Sequence, residues 1–169
     1  MRDKEAQLIW EAYTEADMYS IEDRKPVLVP PATKEEAKKL MMSVADPDAE
    51  MHAGDEKFTG TPEEFIDLQL ADDNVWPHEA VHALQEIKYP GWLEEVQRAF
   101  GPIDLADRFD DSTPAQLAAY HSRPTEIMAY AYDAANNIEK QKTLDAYEKL
   151  KETNPEAYQL FIQYVEDYR

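Results

Sequence analysis

The strongest constraint on this chain is a recurring helix-start signal, a capping residue followed either at once by proline or three residues later by glutamate. Thr61-Pro62-Glu63-Glu64, Thr113-Pro114 and Asn154-Pro155-Glu156 carry the proline form, Thr33-Lys34-Glu35-Glu36 carries the glutamate form, and Ser122-Arg123-Pro124-Thr125, with its proline one residue later, starts a further helix. A capping side chain accepts from the unpaired N–H groups of the first turn, and proline at N1 sets φ without losing a needed donor. The spacing therefore predicts helices from Thr33 to about Val44, from Thr61 to about Leu70 and from Thr113 to about His121. Two more are predicted from Pro124 to about Glu139 and from Asn154 onward. In the last, Tyr158, Phe161, Ile162 and Val165 share one stripe.

The intervals fill in around these. Asp72-Asp73-Asn74 offers a cap and negative charge to a helix that Tyr89-Pro90-Gly91 ends. Trp92 to Phe100 reads as a short helix stopped by Gly101-Pro102, Ile103 to Asp111 as a loop, and Lys142 to Lys151 as a further helix. Lys4 to Asp17 is amphipathic through Leu8, Ile9 and Tyr13. Pro26-Val27-Leu28-Val29-Pro30-Pro31 is the short β-branched run, an edge strand or extended segment. Asp46 to Gly60 is polar and turn-rich, with Met51, His52 and Phe58 as its contact residues. The fold class expected is mainly α, or α+β with at most a small N-terminal strand contribution. One domain over 1–169 is expected: N-terminal helices and the edge-strand candidate in 1–73, a central helical part in 74–140, C-terminal helices in 141–169.

Composition narrows the function classes. The 169 residues include ten tyrosines, five phenylalanines and three tryptophans at 43% hydrophobic content, which suits a globular core. No apolar run is long enough to span a bilayer. The N-terminus is charged rather than a basic stub before an apolar core, so a secretory signal is not expected. A cytoplasmic location is the expectation, with a virion-associated protein reading the same way. The net charge of −19 repels nucleic acid and anionic membrane surfaces, so neither is an expected partner. A basic protein, or a larger assembly, is the complementary expectation. With no cysteine, any metal must be held by histidine, aspartate or glutamate.

Two of the four histidines stand in Pro77-His78-Glu79-Ala80-Val81-His82-Ala83-Leu84-Gln85. On a helix, residues four apart share a face, so His78 and His82 can grip one metal ion with Glu79 beside it. This is the H-E-x-x-H pattern of zinc hydrolases, with the glutamate as general base. Val81, Leu84 and Ile87 form an apolar stripe, and the histidines with Gln85 form a polar face opposite. Catalytic zinc needs a third protein ligand and an open position, and Glu126 is the best candidate. On its helix Glu126, Ala129, Tyr130 and Asp133 fall on one face, and small Ala129 allows close helix approach.

His-Glu-Ala-Val-His followed by Arg-Pro-Thr-Glu-Ile-Met-Ala-Tyr-Ala, within roughly residues 74–135, resembles the gluzincin type of metallopeptidase, in the small forms of bacteria and phages. The resemblance implies a zincin-like helical core in which an active-site helix meets a second, glutamate-bearing helix. It implies Zn2+ held by His78, His82 and Glu126, with Glu79 as catalytic base. Tyr130 stands where some of these proteins carry an aspartate that orients a histidine, so that support must come from Asp133, Gln85 or a backbone carbonyl. Oxyanion stabilisation is expected from His121 or Tyr120, with Arg123 and Tyr130 also close in sequence. Arg123 otherwise caps local carbonyls or pairs with an acid, and His52 reads as a surface residue. A substrate-aligning strand is sought in Pro26 to Pro31 or Met51 to Phe58.

The function expected is a zinc-dependent metallohydrolase, a peptidase acting on peptide or protein with metal-activated water. The alternative is an acidic binding or structural protein, a phage-assembly component or DNA mimic, whose metal is not catalytic. Glu79 separates the two, since a purely structural zinc has no use for a base.

Overall fold

Four of the expected caps close on their helices. The side chains of Thr33, Thr61, Thr113 and Asn154 accept from the N–H of Glu36, Glu64, Gln116 and Ala157 respectively. The Thr113 cap is reciprocal, because the Gln116 side chain accepts in turn from the Thr113 N–H at 2.9 Å. The computed structural model describes residues 18–49, 51–53, 56–106 and 108–169. The helix expected over Lys4 to Asp17 lies outside them.

Helix α1 spans Lys34–Val44, α2 Pro62–Leu70, α3 Trp76–Lys88, α4 Trp92–Phe100 and α5 Pro114–His121. It is followed by α6 (Pro124–Ala135), α7 (Lys140–Glu148), α8 (Leu150–Thr153) and α9 (Pro155–Tyr168). The chain is mainly helical. Among the described residues the strands are β1 (His52–Ala53) and β2 (Glu56–Lys57), an antiparallel pair with His52 opposite Lys57. No described helix is long and apolar enough to cross a membrane.

Several expectations need correction. Pro26 to Pro31 forms no strand; its carbonyls instead accept from two tyrosines, Tyr89 to Pro26 at 2.6 Å and Tyr168 to Leu28 at 2.7 Å. The Asp72–Asn74 cap does not form. Val75 is the N-cap of α3 without a side-chain bond, because Asp73 accepts from the Trp76 indole (3.2 Å) and pairs with Lys34 (3.0 Å). Helix α6 stops at Ala135, not Glu139. Asn137 takes a left-handed φ of 60°, and the Ile138 N–H donates to the Asp133 carbonyl at 2.8 Å, which satisfies a C-terminal carbonyl. Glu139, with φ 43°, then becomes the N-cap of α7, so the helix expected over Lys142 to Lys151 begins at Lys140 and is divided at Lys149.

Two cores flank α3. The larger gathers Val81, Trp92, Val96, Ile127, Met128, Tyr147, Phe161 and Tyr164 from α3, α4, α6, α7 and α9. The smaller joins Ala37 and Met41 of α1, Ile66 and Leu70 of α2, and Ala80 and Ala83 of α3. This arrangement overturns the expected stripe. Val81 is fully buried but Ile87 is 41% exposed, and the polar face with His78 and Gln85 is buried against α6. On α9 the buried set is Ala157, Leu160, Phe161, Tyr164 and Val165, while Tyr158 and Ile162 lie at its margin.

Phe161 stacks on Tyr147 with ring centroids 4.0 Å apart and planes within 5°. Phe161→Ala is expected to cost about 3–5 kcal/mol, the usual range for truncating a buried aromatic. Urea denaturation reads this directly; a loss below about 1 kcal/mol would mean that α9 is not part of the packed core.

Candidate metal centre

The site is assembled where α3 and α6 cross. Ala129 and Ala131, both fully buried, keep α6 thin within the larger core. Glu126, in the first turn of α6, lies with Oε2 3.0 Å from His78 Nε2 and Oε1 2.9 Å from His82 Nε2. The two Nε2 atoms are 3.2 Å apart. His78, His82 and Glu126 thus offer donor atoms all within 4.8 Å of one another.

The opposite ring nitrogens are held. Gln85 donates its amide N–H to the Thr125 carbonyl at 2.9 Å, so its Oε1 faces His82 and accepts from Nδ1, also at 2.9 Å. His78 Nδ1 donates to Asp133 Oδ2 at 3.2 Å. With both Nδ1 atoms protonated, both Nε2 lone pairs point inward at each other and at a carboxylate. A cation relieves that convergence. Donors about 2.1 Å from a tetrahedral zinc lie roughly 3.4 Å apart, close to the spacings here. Two imidazoles and one carboxylate are also a catalytic zinc set, so the residues fit this metal.

The remaining expected site residues surround this cluster. Glu79 is half-buried and lines a cavity of about 530 Å³ whose walls include Met41, Val44, Phe65 and Ile66. Its carboxylate is near enough to raise the pKa of both His78 and His82. Tyr130 sets its ring edge against His78, with centroids 4.5 Å apart. Burial, followed by the Glu126 charge, pushes the Tyr120 hydroxyl above its ordinary range, so it stays protonated as a donor. His121 is buried and donates Nδ1–H to the Leu117 carbonyl at 2.8 Å; burial lowers its pKa, leaving Nε2 without a proton. Arg123 is buried and donates to Gly101, a distant carbonyl rather than a local one. The surface reading of His52 concerns a side chain outside those described.

Leu117 and Thr125 are the site residues that sequence reasoning passes over. Both act through main-chain carbonyls, which any residue type supplies, so no side-chain signal marks them. Asp133 and Gln85 do carry such a signal, since each shares a helix face with the ligand group.

Without metal, the cluster holds protons. Burial alone would lower the pKa of His78, but Asp133 and Glu126 outweigh it and raise the group to about 10. His82 is raised through Glu126 against the same burial, and the two histidines hold Glu126 well below 4.5 despite its desolvation. The histidine contribution to stability is full below 6.5, the ordinary value, and is lost as pH rises toward about 10. The Glu126 contribution is present above 4.5 and is lost as pH falls through its depressed value. Metal-free protein is therefore expected to be less stable at pH 9.5 than at about 5.5 in parallel urea titrations with chelator. Zinc should reverse much of that alkaline loss and release protons on binding, because it takes the neutral imidazoles.

No family model, curated protein or solved structure matches the chain.

Proposed function

We propose that this protein is a zinc-dependent metallohydrolase, a peptidase of gluzincin type. The observation that carries the reading is the convergence of His78 Nε2, His82 Nε2 and both Glu126 oxygens, with each histidine's far nitrogen fixed by Asp133 or Gln85. His78, His82 and Glu126 hold the metal. Zinc supplies Lewis acidity and makes water a nucleophile near neutral pH.

The protein's own groups do the rest. Asp133 and Gln85 keep the imidazoles in the tautomer that points Nε2 inward. Glu79 receives a proton from the attacking water and delivers it to the leaving amine nitrogen. Tyr120 donates its O–H to the oxygen that gains charge on the scissile carbonyl. His121 is the weaker candidate for that role, because its one N–H is committed to Leu117. The position of Glu79 at the wall of an open cavity also suits a base that must meet substrate.

The test joins metal analysis to a peptide-library digest. One zinc per chain is expected, with cleavage that a chelator stops and added zinc restores. Failure to retain zinc at micromolar concentration would remove the proposal.

A further inference from the structure

A second cavity, of about 310 Å³, has a lining that does not include Glu79. Leu93, Val96 and Ile103 form its apolar walls, and His82 and Glu126 contribute from the metal cluster. Arg123 also lines it and is only 6% exposed. The guanidinium has five N–H donors, and its hydrogen bond to protein goes to the Gly101 carbonyl. Among the described residues no carboxylate forms an ion pair with it; Glu126, the nearest acid in sequence, is engaged by His78 and His82 at 3.0 and 2.9 Å. The Glu126 charge reaches Arg123 only through space, and a buried cation without a directly paired carboxylate is costly. Here it faces a cavity with room for a single residue's side chain.

We propose that this cavity binds a carboxylate of the substrate, paired with Arg123, next to the bond being cut. The inference rests on the peptidase reading for the words substrate and cut, but the binding step does not need hydrolysis. A fork of parallel N–H donors matches a carboxylate bidentately. Leu93, Val96 and Ile103 accept the apolar part of the residue that carries it. The chain's net charge of −19 makes a diffuse electrostatic origin for such a preference implausible. Recognition of an anion must be local and buried, as Arg123 is. The carboxylate comes either from a free peptide C-terminus or from an aspartate or glutamate side chain, which share this chemistry.

The test uses the full chain stripped of zinc, so that no ligand binds through the metal. Binding of N-acetyl-leucine, N-acetyl-leucine amide and N-acetyl-glutamate diamide is followed by NMR titration. Roughly tenfold or greater preference for a carboxylate over the neutral amide is expected. The acid that binds better, terminal or side-chain, identifies the source. Arg123→Gln should bring the ratio to about one, whereas Arg123→Lys should keep part of it. Gln97→Glu places a negative charge in the same cavity without touching the Gly101 bond, and should lower the ratio even if Arg123→Gln does not fold. No preference in wild-type protein, or a preference unchanged in Arg123→Gln and Gln97→Glu, overturns the proposal. If the preference holds but zinc-loaded protein cuts no peptide, the peptidase reading fails and the anion site stands. Cleavage without the preference gives the reverse.

Discussion

Glu79→Gln is expected to lower kcat by roughly 10²–10⁴ while the protein keeps one zinc per chain. Glutamine preserves the size and hydrogen-bonding outline of the side chain but cannot accept and return a proton. Glu79 sits one residue from His78 and lines the 530 Å³ cavity, while the contacts among His78, His82 and Glu126 are made without it. The exchange should therefore leave the ligand atoms where they are. Steady-state kinetics on the best library peptide, run beside metal analysis of the same preparation, separates the two quantities. If the variant cleaves at the wild-type rate, Glu79 is not the base. If zinc is lost as well, the effect belongs to metal binding.

Glu126→Ala should have the converse signature. It removes a proposed ligand, so the drop in zinc affinity should exceed the about 10–100-fold typical of losing an outer partner. Metal competition against a chromogenic chelator measures this. The variant also removes the carboxylate that faces both histidines in the metal-free state. Breaking a buried pair from one side costs about 3–5 kcal/mol. Glu126→Ala is therefore expected to be less stable than wild type in chelator at pH 6, where the wild-type histidines are protonated. Asp133→Asn is the useful comparison: it should weaken zinc by the smaller factor, because both ligand atoms and Glu126 remain. Equal losses in the two variants would argue against Glu126 as a ligand.

The local steps of this fold are legible in the sequence where one residue type has one favourable role. Thr61-Pro62 and Asn154-Pro155 can scarcely do other than open helices, and they do. Glu126 and Asp133, two turns apart, had to share a face wherever α6 packed. What escapes is decided by neighbours that lie far along the chain. Asp73 satisfies the composition of a cap, yet Trp76 and Lys34 take its carboxylate. Leu84 and Ile87 look like core until α3 is seen to stand between two cores, each claiming a different side. Arg123 looks like a local cap, and only the arrival of Gly101, 22 residues upstream, sets its position. The C-terminal limit of α6 is a similar case: Asn137 adopts a left-handed conformation that asparagine tolerates but does not announce.

The position of α3 between unequal cores has a consequence for the order in which the molecule comes apart. The smaller cluster is built largely from alanines and single aliphatic residues, while the larger contains stacked aromatics. Segments with less buried apolar surface open at lower free energy. Amide protons of α1 and α2 should accordingly exchange with solvent before those of α6 and α9. Because Glu79 lines a cavity with residues of α1 and α2, whereas His78 and His82 meet Glu126 of α6, the wall of that cavity can loosen while the cluster stays intact. The wall of that cavity and the histidine–glutamate cluster thereby belong to different cooperative units of one chain.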